Sequence, residues 1–281
     1  MDIGVALILT TSGLVMCKYL KTQRQLSWSK VTISTLPVVV VGLIKAIMLH
    51  FKYGAAEYGK HWNFFFNLAL TPYTLILFNY LPSPHLVPPV SLAIMGIYQY
   101  CLSYRGLADY ISSPSSTDLF SANKIGIFSA IAYCNIFIMS CYLYKAYHIP
   151  NPKKKIALLA AASTALLIAY HVSNAYFKTS RKLGNLSFYL WSLANGTVHV
   201  TVLAVVNRFY AEPRQRMIFT EIISRHRLEV FLAANCFCGL IKFFIDTKHI
   251  SVIKGSLILV GYIFCSSCVG AILFFFKSRL F

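Results

Sequence analysis

The sequence predicts an all-α, polytopic transmembrane helical bundle, and three observations carry that prediction. Hydrophobic residues make up 57% of the chain and charged residues 12%, with a mean hydropathy of +0.63; soluble domains carry roughly 25% charged residues. Apolar runs close to or above the length of a spanning helix recur from one end to the other, with no polar stretch long enough for a soluble domain between them. No alternating pattern suggests a barrel, and backbone groups in hydrocarbon must be satisfied within their own segment, which leaves helices.

Taken in order, the apolar runs place helices at 3–18, 31–50, 63–81, 86–104, 124–147, 156–177, 185–206, 228–247 and 255–276. That is about nine spans in a single membrane domain over 1–281. Pro82, Pro84, Pro88 and Pro89 mark a tight, charge-free turn before the fourth, and 105–123 is a longer loop rich in Ser and Asp. An odd number of spans puts the termini on opposite sides. Lys18, Lys21, Arg24 and Lys30, then Lys145 and Lys153 to Lys155, then Arg208 to Arg227, and finally Lys277 and Arg279 fall in alternate loops, and this more basic side is read as cytosolic. The amino terminus is then lumenal and the carboxyl terminus cytosolic.

A formal net charge of +18 is spread through these short loops. It points to membrane orientation and anionic phosphates; no nucleic-acid motif accompanies it. Cys236 with Cys238, and Cys265 with Cys268, lie inside apolar runs without neighbouring His or Asp, so they read as packing residues and no metal is expected. The first apolar run begins at Asp2 without a basic leader, so no cleavable signal peptide is expected.

The chemistry concentrates in Glu57-Tyr58-Gly59-Lys60-His61-Trp62-Asn63-Phe64-Phe65-Phe66, where an acid, an imidazole and an amide run directly into an aromatic membrane entry. The plain reading is an interfacial aromatic belt with Glu57 and His61 paired at i,i+4 on a helix. The functional reading is work on a lipid head group. Lys242 and Asp246 sit one helical turn apart in a span, where mutual neutralisation is the expected arrangement, although Asp246 also lies close enough to the lumenal end to meet a head group. His171 and His199 read as hydrogen-bonded core residues, and Lys45 as a side chain snorkelling to the lumenal edge. Asn185-Leu186-Ser187 and Asn195-Gly196-Thr197 match the glycosylation pattern, but they fall at or within a helix and are not expected to be modified.

Several segments resemble one family, the GPI-anchor inositol acyltransferases of the PIG-W type. The opening Met1-Asp2-Ile3-Gly4-Val5-Ala6 is similar to that family's Met-Asp-x-Gly-Val-Gly, with Ala6 in place of its last glycine. The 57–66 segment resembles Glu-Tyr-Gly-x-His-Trp-Asn-Phe-Phe-Phe, Ser121 to Ile127 resembles Asn-Ala-Asn-Arg-Glu-Gly-Ile, and Ser180 to Leu186 resembles Ser-Arg-Arg-x-x-Asn-Leu followed by Trp191. Asn235, Gly239-Leu240-Ile241 and Asp246-Thr247 complete the ordered set. In the family the Met-Asp-x-Gly-Val-Gly segment is internal: further helices precede it, together with a Pro- and Phe-rich stretch carrying an Asp and a Lys implicated in catalysis. The resemblance implies that this sequence begins after both.

It also implies a multi-pass enzyme of the endoplasmic reticulum membrane. The implied reaction moves a fatty acyl group, usually palmitoyl from palmitoyl-CoA, to the inositol ring of glucosaminyl-phosphatidylinositol. Acyl-CoA is then a co-substrate and no bound cofactor is needed. Such a transfer needs a base for the hydroxyl and donors for the thioester oxyanion. His61 is the natural proton acceptor, with Glu57 or Asp2 to orient it. Asn63, Asn123 and Asn185 are candidate donors to the oxyanion or to sugar hydroxyls, Arg181 a partner for the lipid phosphate, and Trp62 and Asp246 further substrate contacts. Rival expectations are a catalytically inactive membrane subunit or truncated fragment of that enzyme, and a small-solute transporter; the absence of paired broken helices in the sequence weighs against the transporter.

Overall fold

The computed structural model describes residues 2–20, 27–50, 57–114, 118–209, 226–245 and 250–278. Every regular element among them is helical. The chain divides into two compact units, Met1–Phe209 and Tyr210–Phe281.

The first unit contains α1 (Asp2–Met16), α2 (Trp28–His50), α3 (Phe64–Asn79), α4 (Val87–Tyr104), the short α5 (Leu107–Ser112) and α6 (Leu119–Ala122), α7 (Lys124–Leu143), α8 (Pro152–Tyr176) and α9 (Leu186–Phe209). The second contains α10 (Arg227–Phe244), packed on α11 (Val252–Ser278). Local chemistry sets several of these boundaries. Asn63 and Asn151 cap α3 and α8 by accepting from Phe65 N–H and Lys154 N–H, and prolines occupy the first turns of α4 and α8, where no helical donor is lost. The proline-rich turn closes as expected: Ser83 caps a single 3-10 turn, Pro84–Leu86, which leads straight into α4.

Among the described residues six helices are long and apolar enough to cross a membrane. The expected spans at 3–18, 63–81 and 228–247 are helices as well, but their apolar stretches, Ile3–Tyr19, Phe64–Asn79 and Glu229–Ile241, are each shorter than eighteen residues. The nine-span count, and the placement of the termini that follows from its parity, are therefore not supported. For α3 the limit is local, since the Asn63 cap starts it at Phe64 and it ends at Asn79; Pro37 and Pro72 each remove a backbone donor from α2 and α3 without breaking either helix. Thr71 Oγ1 donates to the carbonyl of Leu68, the acceptor that Pro72 leaves without its helical partner (2.9 Å).

The first unit is organised around α7. Of its spanning window 67% is buried, against 17% for α8 and 22% for α2, which identifies it as the central helix. Tyr133, Ile136, Phe137 and Ile138 are fully covered, so its apolarity runs around the whole circumference. Leu9 of α1, Met95 and Tyr98 of α4, and Phe188, Tyr189 and Leu193 of α9 close the core around it. Small residues let the backbones approach: a Cβ at Gly13 would lie 2.5 Å from Ser140 Cβ, and one at Gly196 would lie 2.5 Å from Thr10. Buried hydroxyls bond across helices, as in Ser91 with Asn135 (3.0 Å) and Tyr189 (3.1 Å), and Ser173 with Ser187 (2.7 Å). Large apolar side chains such as Ile33, Leu36, Ile168 and Val172 face outward, as a lipid-facing surface requires.

α1 and α7 run in the same direction. Cys17, just past the end of α1, meets His148, just past the end of α7 (Sγ to Nε2 3.2 Å). Asp2 therefore opens α1 at the same end of the unit at which Lys124 opens α7. Other expectations change. His171 and His199 are exposed on α8 and α9, where His199 Nδ1 bonds the Asn195 carbonyl of its own helix (2.8 Å), so neither is a core residue. Cys236, Cys238 and Cys265 are likewise exposed on the second unit and are not packed within it. Asn185 is buried, and Asn195 lies in the middle of α9.

Substituting Gly13 by valine forces branched atoms into the Ser140 contact, and overpacking of this kind costs about 1–3 kcal/mol. Thermal unfolding of the purified variant in detergent is expected to show a lower midpoint than the parent, while the exposed Gly96→Ala control stays close to it.

Candidate functional site

Three loops meet at the α7 N-terminal end of the first unit: 57–63 before α3, 118–123 before α7, and 178–185 before α9. The first is extended and irregular, so the helical Glu57–His61 pairing does not form. A loop at the edge of an apolar bundle needs partners for its backbone groups, and the second loop provides them. Lys60 N–H donates to the Ala122 carbonyl (2.8 Å), and Gly126 N–H donates to the Tyr58 carbonyl (2.6 Å). The side-chain oxygen of Asn123 accepts from both His61 N–H (2.8 Å) and Trp62 N–H (2.9 Å), while its amide donates to the Leu119 carbonyl (2.9 Å). Two glycines permit this closeness. Gly59 has φ +137°, and a Cβ there would lie 2.7 Å from Asn123 Cα; a Cβ at Gly126 would strike the Trp62 indole at 2.0 Å.

Trp62 is fixed in the same way. Its indole N–H donates to Asn67 Oδ1 (2.7 Å), and Asn67 in turn donates to Ser129 on α7 (3.2 Å). Asn63, 1% exposed, caps α3 through its oxygen and donates to the Gly42 carbonyl of α2 (2.8 Å). Asn185 does comparable work in the third loop. Its oxygen accepts from Ser180 N–H and Phe188 N–H, both at 3.1 Å, and its amide donates to the Lys178 carbonyl (2.7 Å). Each of the three candidate asparagines thus has its oxygen engaged by the backbone and shapes a loop.

The charged centre of the site joins the first and third loops. Arg181 Nη1 donates to Glu57 Oε2 (3.1 Å) and to the Tyr58 hydroxyl (2.7 Å), and its guanidinium lies over the Tyr58 ring at 5.2 Å. The Tyr58 hydroxyl continues to Tyr133 on α7 (2.7 Å). Burial pushes the Tyr58 phenol above its ordinary value, with contacts to Tyr133 and Arg181 opposing it only in part, so the residue is a neutral hydrogen-bonding group at physiological pH. Burial works against the charge on Arg181, yet the surrounding oxygens of Tyr58, Tyr133 and Glu57 hold it firmly protonated. With side chains 19% and 31% exposed, the Arg181–Glu57 pair lies between surface and interior. Its energetic value is of the order of 1 kcal/mol. Its main effect is geometric: it fixes a cation beside His61's loop.

Of the other candidates, His61 is half-buried in the clamped loop, next to Trp62. Asp2 opens α1, but its side chain is outside the described residues, as are Asp246 and the side chain of Lys242. Sequence reasoning missed the partnership of Glu57 with Arg181, because 124 residues separate them and neither loop has a periodic pattern to reveal its neighbour. It also missed Lys124, which is 3% exposed: its ammonium donates to Ser113 Oγ (2.7 Å) and sits over the Tyr110 ring (4.6 Å), tying α5 to the start of α7. Among the described residues no cluster of three or more His, Cys, Asp or Glu side chains is arranged to hold a metal.

A multi-helix membrane protein with a clamped polar site at one end of its bundle is the class these features define. The family model described as GWT1 matches residues 1–273, and the chain belongs to that family. It is 28% identical to GPI-anchored wall transfer protein 1 of Yarrowia lipolytica, aligned over 100% of this chain and 65% of the relative. It is 29% identical to the protein of that name from Kluyveromyces lactis, over 93% and 61%. It is 26% identical to phosphatidylinositol-glycan biosynthesis class W protein of Dictyostelium discoideum, over 92% and 53%. The chain thus spans between 53% and 65% of the length of these relatives.

Replacing Asn123 by leucine leaves two N–H groups beside His61 without their acceptor, at a cost of about 1–3 kcal/mol each when buried. Asn123→Asp keeps the acceptor. The leucine variant is expected to melt markedly lower, with the aspartate variant between it and the parent, when both are followed by thermal unfolding in the same detergent.

Proposed function

We propose that this chain takes part in GPI-anchor biosynthesis in the endoplasmic reticulum membrane, as the acyl-transferring bundle of an inositol acyltransferase. It moves a palmitoyl group from acyl-CoA to the inositol ring of glucosaminyl-phosphatidylinositol. Family membership supports the pathway. The observation that carries the chemistry is that the backbone-clamped loop bearing His61 also holds, through Glu57, a cation at Arg181, at the end of an apolar bundle.

In this reading the imidazole of His61 takes the proton of an inositol hydroxyl as its oxygen attacks the thioester carbonyl. The tetrahedral intermediate collapses with loss of the CoA thiolate, and the proton on the imidazole passes to that sulfur, so the base is restored. Arg181 meets the phosphate of the glycolipid and Glu57 holds Arg181 in place, a positioning role for a carboxylate that the sequence assigned to His61. Asn63, Asn123 and Asn185 keep the three loops in register, and Trp62 forms the apolar wall next to the imidazole. Asp2 and Asp246 remain candidates for orienting His61 and for contacting the head group. The site then faces the lumen.

The length of the relatives favours a second reading, in which the chain binds the glycolipid without carrying the transfer itself. Acyl transfer by the purified 281-residue chain, with palmitoyl-CoA and glucosaminyl-phosphatidylinositol, separates the two. The proposed function predicts product, lowered by a factor of about a hundred to ten thousand in His61→Ala. A folded chain that binds the glycolipid and forms no product establishes the second reading.

A further inference from the structure

The hydrogen-bond chain that ties the first loop to the third holds one hydroxyl hydrogen more than it has acceptors for. Arg181 Nη1 donates to the Tyr58 hydroxyl (2.7 Å), and that hydroxyl meets the Tyr133 hydroxyl, also at 2.7 Å. Each phenol brings one hydrogen, and only one of the two can lie in the bond between them. Among the described residues neither phenol is bonded to a further acceptor.

Burial decides which hydrogen is left over. Tyr133 is fully covered, and its ring packs against Phe64 and Phe188 at centroid distances of 6.2 and 6.1 Å. A hydroxyl hydrogen aimed into that aromatic core would give up water and gain no acceptor in return. Tyr133 therefore donates to Tyr58, whose oxygen takes hydrogen bonds from Tyr133 and Arg181 together. The hydrogen that remains is the one on Tyr58, in the loop that carries His61 and beside the partly exposed Arg181–Glu57 pair. Two donors on one oxygen polarise its own O–H, which makes that group a stronger donor than an isolated phenol.

We infer that Tyr58 is a substrate-binding residue whose hydroxyl donates to a phosphate oxygen of the lipid head group held at Arg181; the inference rests on the transferase reading above. Three features choose a lipid phosphodiester. A neutral donor beside a guanidinium suits an oxygen that carries negative charge. Glu57 offsets the charge of Arg181, but Lys60, Lys178 and Lys182 are exposed in the same two loops, so the surroundings stay net positive. The site also lies at the end of an apolar bundle, where a lipid whose tails run along the helices presents its phosphate.

Binding of glucosaminyl-phosphatidylinositol to the purified 281-residue chain in nanodiscs, with Tyr58→Phe and Tyr133→Phe side by side, tests this. Both variants lose the bond between the phenols, so their thermal midpoints are expected to fall together. Only Tyr58→Phe removes the donor to the ligand. Its affinity for the glycolipid is expected to drop about tenfold or more, with KM rising and kcat nearly unchanged in acyl transfer, while Tyr133→Phe stays within about threefold of the parent. Replacing Tyr58 by a ring-fluorinated tyrosine makes the hydroxyl a better donor and a poorer acceptor, so the glycolipid is expected to bind at least as tightly as to the parent. Weaker binding with the fluorinated ring would show that Tyr58 serves only as an acceptor for Arg181 and would overturn the inference. Equal loss of affinity in the two phenylalanine variants, or a loss seen with CoA and not with the glycolipid, would overturn it as well. Binding that depends on Tyr58 without product would sink the transferase reading and leave the binding residue standing; product formed by Tyr58→Phe at the parent's KM would do the reverse.

Discussion

The arrangement at the end of the bundle depends on a seam of backbone hydrogen bonds between residues 58–62 and 122–126. Peptide groups at the rim of an apolar bundle cannot be left unpaired. Here a single asparagine oxygen, Asn123 Oδ1, accepts two of them, and two further main-chain bonds flank it. Because the seam joins the loop before α3 to the start of the central helix α7, the position of His61 is set by the most buried element of the fold. Gly59 and Gly126 are the places where that closeness would fail with any side chain present.

From this seam the rest of the site follows in two directions. Toward the third loop, Tyr58 links Arg181 to Tyr133, so the cation is anchored to α7 as well as to Glu57. Toward α2, Trp62 and Asn63 end the loop by bonding Asn67 and Gly42, and in doing so tie α2 to the start of α3. The polar site and the apolar surface between α2 and α3 therefore share a boundary at Trp62 and Asn63. The energetics agree with a positional role for the charges. A half-exposed ion pair adds little stability, so Glu57 and Arg181 contribute chiefly by where they hold charge.

Much of this was legible in the residues. Each apolar run is a helix, because a long run of Leu, Ile, Val and Phe in hydrocarbon has no other way to satisfy its backbone. The segment at 57–66 stood out because polar chemistry at a membrane entry is expensive to keep. What could not be read was length and partnership. The Asn63 cap fixes the start of α3 at Phe64, and its end at Asn79 leaves 16 residues in a run that hydropathy alone scores as a span. The asparagines looked like substrate donors because their spacing shows only that an amide is present, and capping is invisible until the neighbouring N–H groups are placed. Likewise Glu57 was matched with His61, four residues away, since helical spacing is the only proximity a sequence displays, whereas its partner Arg181 arrives from a distant loop.

The claim on which the account rests is that Glu57 acts on substrate through Arg181. A double-mutant cycle of Glu57→Gln and Arg181→Lys, read as kcat and KM for the glycolipid in acyl transfer, tests it most directly. The account predicts that each single variant raises KM with little change in kcat, and that the double variant is no worse than Arg181→Lys alone. Effects of the two substitutions that multiply, or a loss confined to kcat in Glu57→Gln, would contradict it and return Glu57 to the proton-transfer step.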